Sequence, residues 1–82
     1  MEQQILEALR SQFPDISGEF ELTEDTDLYN GQILTEGFRG MSFVERQHSV
    51  FKILRKVLGP KVKRISMLFT YTPEEYEILQ AS

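Results

Sequence analysis

The 82 residues are 40% hydrophobic and 27% charged, the balance of a globular chain with one modest core, and no apolar run approaches the ~18 residues that span a bilayer. With no cysteine and one histidine, disulfides, thiolate catalysis, cysteine-ligated zinc, an iron–sulfur cluster held by this chain alone and any site with two imidazole ligands are excluded. The net charge of −4 is strongly polarised: residues 1–38 carry −8, residues 39–64 carry +7 and residues 65–82 carry −3.

A single domain over 1–82 is expected. At its start, Ile5, Leu6, Leu9 and Phe13 recur at helical spacing, Glu2 and Glu7 sit toward the positive end of the helix dipole, and Pro14 closes a helix over 1–13. This segment lacks the basic stretch of a signal peptide and the acid-poor character of a transit peptide, which reads as a cytoplasmic protein without a membrane partner. From Gly18, GEFELT alternates Phe20 and Leu22 with Glu19 and Glu21, the period of a strand with one buried face. After the polar loop 24–27, LYNGQILTEGF is predicted as a second strand, antiparallel to the first. Asn30-Gly31 within it is either the turn of a short hairpin or an irregularity in one strand. Two-residue arms make a poor hairpin, which favours a strand interrupted or bulged at Gly31.

The longest element is predicted over 42–58, SFVERQHSVFKILRKVL. Ser42 and Glu45 form a capping box, and Gly59-Pro60 supplies the stop. Phe43, Val44, Val50, Phe51, Leu54, Val57 and Leu58 make its expected apolar face, opposite Glu45, His48, Ser49, Lys52, Arg55 and Lys56. In RISMLFTY, Ile65, Met67, Phe69 and Tyr71 alternate with Arg64, Ser66, Leu68 and Thr70. Leu68 makes the second face partly apolar, so this third strand is expected at the centre of the sheet. The aromatic residues Phe38, Phe43, Phe51, Phe69 and Tyr71 all fall on predicted core faces. Thr72-Pro73-Glu74-Glu75 is a second capping box, with Tyr71 placed to staple onto Tyr76, and a last helix runs to about Leu79. The order α-β-β-α-β-α implies an α+β, two-layer sandwich with a three-stranded mixed sheet and helices on one face.

Phe38, Gly40, Ser42, Val44, Arg46, Val50 and Phe51, read with TYTPEEYEIL, resemble the signature of the BolA-like family over residues 28 to 79. The resemblance implies a class II KH-like fold, pairing with monothiol glutaredoxins, in many members a shared two-iron two-sulfur cluster, and in some a DNA-binding regulatory role. The family's cluster ligands are a histidine early in the third strand and a histidine or cysteine before the second. At those positions this chain has Ser66 and Leu28, neither of which replaces an imidazole or thiolate on iron. His48 lies at neither position, so no metal or cofactor is expected.

The remaining candidate surface is basic: Arg39, Arg46, His48, Lys52, Arg55, Lys56, Lys61, Lys63 and Arg64. A non-catalytic module binding an acidic protein partner, of monothiol glutaredoxin type by resemblance, is the first reading, since such a surface steers association. The alternative is a regulator gripping nucleic-acid phosphates, although no GXXG loop is present. The acid pairs Asp25/Asp27 and Glu74/Glu75 are accounted for by a solvated loop and by helix capping, so neither enzyme chemistry nor a small-molecule substrate is expected.

Overall fold

The computed structural model describes residues 1–81. Its elements are α1 (Glu2–Arg10), β1 (Ser17–Thr23), β2 (Leu28–Leu34), a 3-10 turn (Glu36–Phe38), α2 (Phe43–Leu58), a second 3-10 segment (Gly59–Arg64), β3 (Ile65–Tyr71) and α3 (Pro73–Ala81). The α-β-β-α-β-α order and the mixed sheet are as expected. β1 pairs antiparallel with β2 from Ser17↔Leu34 to Thr23↔Leu28, and β3 pairs parallel with β2.

The strand order β1-β2-β3 corrects one expectation: β2 is central and β3 is an edge. The face assignment is also reversed: Leu68 of the second face lies in the core, and the side carrying Met67 and Phe69 is the open one. Ile65, Leu68 and Thr70 are buried, while Met67 and Phe69 face out. The predicted alternation fails because the register shifts between Tyr29 and Asn30: Tyr29 pairs with Ile65 and Asn30 with Met67, leaving Ser66 as an extra residue. Such a bulge reverses the facing of everything beyond it. The irregularity thus lies one residue before Gly31.

Gly31 is mid-strand for a different reason. A Cβ there would lie 2.5 Å from both the Glu19 carbonyl oxygen and Cδ1 of Phe20 on the paired strand, so the Phe20 ring occupies the space a side chain would need. This is an aromatic ring laid over a cross-strand glycine.

The sheet's buried face meets α1 and α2, which pack on each other. Ile5 and Leu9 of α1, Ile33 of β2, Phe38, Val50 and Leu54 of α2, and Leu68 of β3 form the fully buried centre. Each such side chain contributes roughly 1.5–3 kcal/mol by leaving water. The buried stripe of α2 is Arg46, Val50 and Leu54, rotated from the predicted face, and Phe43, Val44 and Val57 are exposed. Phe38 alone among the five predicted core aromatics is fully buried, tilted against Phe13 at 5.1 Å between ring centres.

Both capping boxes form. Ser42 Oγ accepts from the Glu45 N–H and Glu45 Oε1 from the Ser42 N–H; Thr72 and Glu75 repeat the exchange. α2 ends at Gly59, whose φ of +59° is reached at little cost only by glycine. α1 stops at Arg10, three residues before the predicted end, where Ser11 Oγ donates to the Ala8 carbonyl. α3 departs from the expected arrangement of all helices on one face: the Tyr76 ring lies tilted against Tyr71, 5.9 Å between centres, and its hydroxyl accepts from Gln32 Nε2 at 3.0 Å, on the side opposite buried Ile33.

Replacing Gly31 with alanine is expected to destabilise the fold by about 1–3 kcal/mol through overpacking against Glu19 and Phe20. Urea denaturation checks this; an unchanged midpoint would contradict the assigned β1–β2 register.

Candidate protein-binding surface

The nine basic candidates divide by what their charges already touch. Arg46 is turned inward and 8% exposed. Its Nε–H donates to the Met41 carbonyl at 3.1 Å, one Nη to the Thr70 carbonyl at 3.1 Å and to Glu75 Oε1 at 2.6 Å, and the other Nη to Glu75 Oε2 at 2.9 Å. The guanidinium also lies over the Phe38 ring, 5.6 Å from its centre. A fork of fixed N–H donors is suited to this bidentate pairing. Arg46 therefore joins α2 to β3 and α3, and the sequence expectation that it belongs to an exposed contact face is corrected.

Two further arginines are engaged at the surface. Arg39 pairs with Glu36 at 2.8 Å and lies 3.5 Å from Glu74. Arg64 pairs with Asp27 at 2.8 Å and stacks over Tyr29, 5.7 Å from the ring centre, tying the β1–β2 loop to the start of β3. Asp27 holds that loop in the left-handed region, φ 57°, a conformation aspartate tolerates. Exposed pairs of this kind contribute little to stability, ~0–1 kcal/mol.

His48, Lys52, Arg55 and Lys56 remain. All four are exposed on the outer side of α2, at i, i+4, i+7 and i+8, and none makes an ion pair among the described residues. Lys61 and Lys63 follow on the 3-10 segment after α2, exposed and without an ion pair among the described residues. Lys61 also borders a groove shared with Gln4, Glu7 and Ser11 of the first helix and the turn after it. One helix face thus concentrates positive charge, with Glu45, engaged in the Ser42 capping box, as the one acid at its N-terminal end, which is the arrangement that attracts an acidic surface.

The two positions matching the family's cluster ligands do not fit an iron–sulfur cluster. Ser66 is the exposed extra residue of the β3 irregularity and Leu28 opens β2. A serine hydroxyl and an isobutyl group replace the imidazole and thiolate such a cluster requires. His48, on the outer side of α2, is at neither position.

The residues that sequence reasoning missed are acids. Glu75 was explained by capping alone, yet its carboxylate serves both Thr72 and Arg46. Hydrogen bonds from Arg46, then from the Thr72 N–H, hold its pKa at about 2. Asp15 likewise accepts from the buried Thr35 hydroxyl and from the Glu36 N–H at 2.9 Å, both lowering its pKa. No periodicity marks either residue, because their partners lie 29 and 20 residues away.

Because Glu75 titrates lower when folded than its ordinary 4.5, its stabilisation is fully present above that pH and is lost as pH falls toward about 2. Glu75→Gln is expected to flatten this acid limb in urea midpoints measured from pH 2 to 7. Arg46→Ala is expected to cost about 3 kcal/mol at pH 7 by removing the charged donor from the Glu75 carboxylate, which keeps only the Thr72 N–H, and from the Thr70 carbonyl. An acid limb unchanged in Glu75→Gln would contradict the pairing.

No protein-family model matches the sequence, and a search of curated proteins finds no match. Solved structures do match. BolA1 from Arabidopsis thaliana is 25% identical with a TM-score of 0.66, the match covering 89% of this chain and 92% of that one. The BolA domain of SufE1 from Arabidopsis thaliana, at 22% identity and TM-score 0.66, shares the same coverage. A BolA-like protein from Rickettsia prowazekii is 23% identical with a TM-score of 0.67, over 88% of this chain and 94% of that one. In its fold the chain is BolA-like.

Proposed function

We propose that the chain is a non-catalytic module that binds an acidic partner protein, of the monothiol glutaredoxin type, through the outer face of α2 without contributing iron–sulfur ligands. The observation that carries this reading is the row His48, Lys52, Arg55 and Lys56, exposed and without an ion pair among the described residues, with Lys61 and Lys63 following in the next segment. The three arginines that have such partners, Arg39, Arg46 and Arg64, are withdrawn from it. Similarity to BolA proteins supports a partner of that type, and Ser66 and Leu28 support binding without ligation. Such a module acts in the cytoplasm. No helix among the described residues is long and apolar enough to cross a membrane.

Electrostatic contacts at an exposed row act mainly on association and selectivity and weaken with salt. Calorimetric titration with an apo monothiol glutaredoxin from the host is expected to show binding without iron. Lys52→Glu with Arg55→Glu is expected to weaken it about tenfold or more. Lack of binding, or an affinity indifferent to this double charge reversal, overturns the reading. Parallel titrations with duplex and single-stranded DNA address the competing ligand of the same row. Binding to either with a steep salt slope, and none to glutaredoxin, would assign the surface to phosphates.

A further inference from the structure

Outside the basic row, one contiguous apolar surface is left uncovered by the elements of the described residues. Phe43 at the head of α2 lines two adjoining grooves. One continues across Tyr71 to Ile78 and Leu79 of α3, the other along Phe51, Met67 and Phe69. Phe43 is 62% and Ile78 64% exposed, and Met67 and Phe69 are about half exposed. Apolar surface gathered in this way, on a chain this small, marks an interaction site.

The charges around this surface are ordered along it. At the α3 end stand Glu74, one helical turn from Ile78, and Glu77 beside it, both exposed; Arg39 lies 3.5 Å from Glu74 but is shared with Glu36, so this end stays net acidic. At the far end, His48 and Arg55 flank Phe51 at i−3 and i+4 on α2, with Lys52 next to them and Lys63 just before β3. Acid, apolar centre and base thus follow one another across a single patch. A two-fold axis through the centre sets the acidic end of one molecule on the basic end of the other, twice, with the apolar residues meeting between them. A surface of this kind is complementary to itself.

An added strand along β3 fits the patch less well. Leu68 and Thr70 are two residues apart, so their carbonyls point the same way, and Gln47 Nε2 at 2.8 Å and Arg46 at 3.1 Å already donate to them. Side chains of α2 therefore occupy acceptors that a docking strand would use.

We propose that this patch is the interface of a two-fold homodimer, in which Phe43, Met67, Phe69 and Ile78 form the dry centre and Glu74 and Glu77 of each chain face His48, Lys52 and Arg55 of the other. The dimer covers part of the row that the proposed partner would use, so the two complexes exclude each other. It does not depend on that partner being bound.

Sedimentation equilibrium of the purified chain over a range of concentrations and salt is expected to show a monomer–dimer equilibrium that shifts toward monomer as salt rises. Ile78→Ala is expected to raise the dissociation constant about tenfold. Two charge variants keep the test independent of any folding defect. Lys52→Glu/Arg55→Glu, acidic at both ends, and Glu74→Lys/Glu77→Lys, basic at both ends, should each be monomeric alone and should form a heterodimer when mixed. A wild-type chain that stays monomeric at every concentration overturns the proposal, as does a dimer insensitive to Ile78→Ala or a mixture that fails to associate. Any of these leaves the glutaredoxin titration standing as a separate result.

Discussion

Arg46 is the interaction on which the arrangement of the outer elements depends. A buried guanidinium is costly unless its donors are used, and here one side chain makes four hydrogen bonds to Met41, Thr70 and both oxygens of Glu75. α3 buries no residue of its own. Its position rests on that carboxylate, on the capping exchange with Thr72, and on Tyr76 against Tyr71 and Gln32. The core of α1, α2 and the sheet is held by apolar burial. The last helix is held to it largely by a polar clamp, and the clamp fixes where Glu74, Glu77 and Ile78 face solvent.

The same clamp separates structural charge from available charge. Arg46 is consumed inside the fold, and Arg39 and Arg64 are tied to Glu36 and Asp27. What α2 presents outward is a shorter row than the count of bases suggests, and the one acid on that face, Glu45, is engaged in the Ser42 capping box at the head of the helix. Ser66 and Leu28 offer no metal ligand, so the proposed partner would be held by charge and by apolar contact.

Local signals in the sequence were legible where their cause was local. Ser42 with Glu45 and Thr72 with Glu75 each place a helix start through contacts three residues apart, and both form. The order of elements and the mixed pairing follow from periodicity and connection lengths. What failed was set by distant contacts. The extra residue at Ser66 reverses β3 relative to strict alternation, turning Met67 and Phe69 outward and Leu68 and Thr70 inward. Two-faced apolarity suggests a central strand, whereas β3 is an edge that buries Leu68 and Thr70 and leaves Met67 and Phe69 in an exposed apolar patch. Arg46 was read with the other bases because nothing within a few residues of it reveals Glu75. An arginine is assigned to a surface by residue type, and only tertiary pairing withdraws it.

The central claim is that unpaired cations on the outer face of α2, and not the paired arginines, form the partner contact. Amide chemical-shift mapping of the nitrogen-15-labelled chain, titrated with apo monothiol glutaredoxin at low and then raised salt, tests it most directly. The account expects perturbations concentrated on His48, Lys52, Arg55, Lys56, Lys61 and Lys63 that diminish as salt rises. Shifts confined to the β1–β2 loop around Asp27 and Arg64, or a spectrum unaltered at saturating partner, would contradict it.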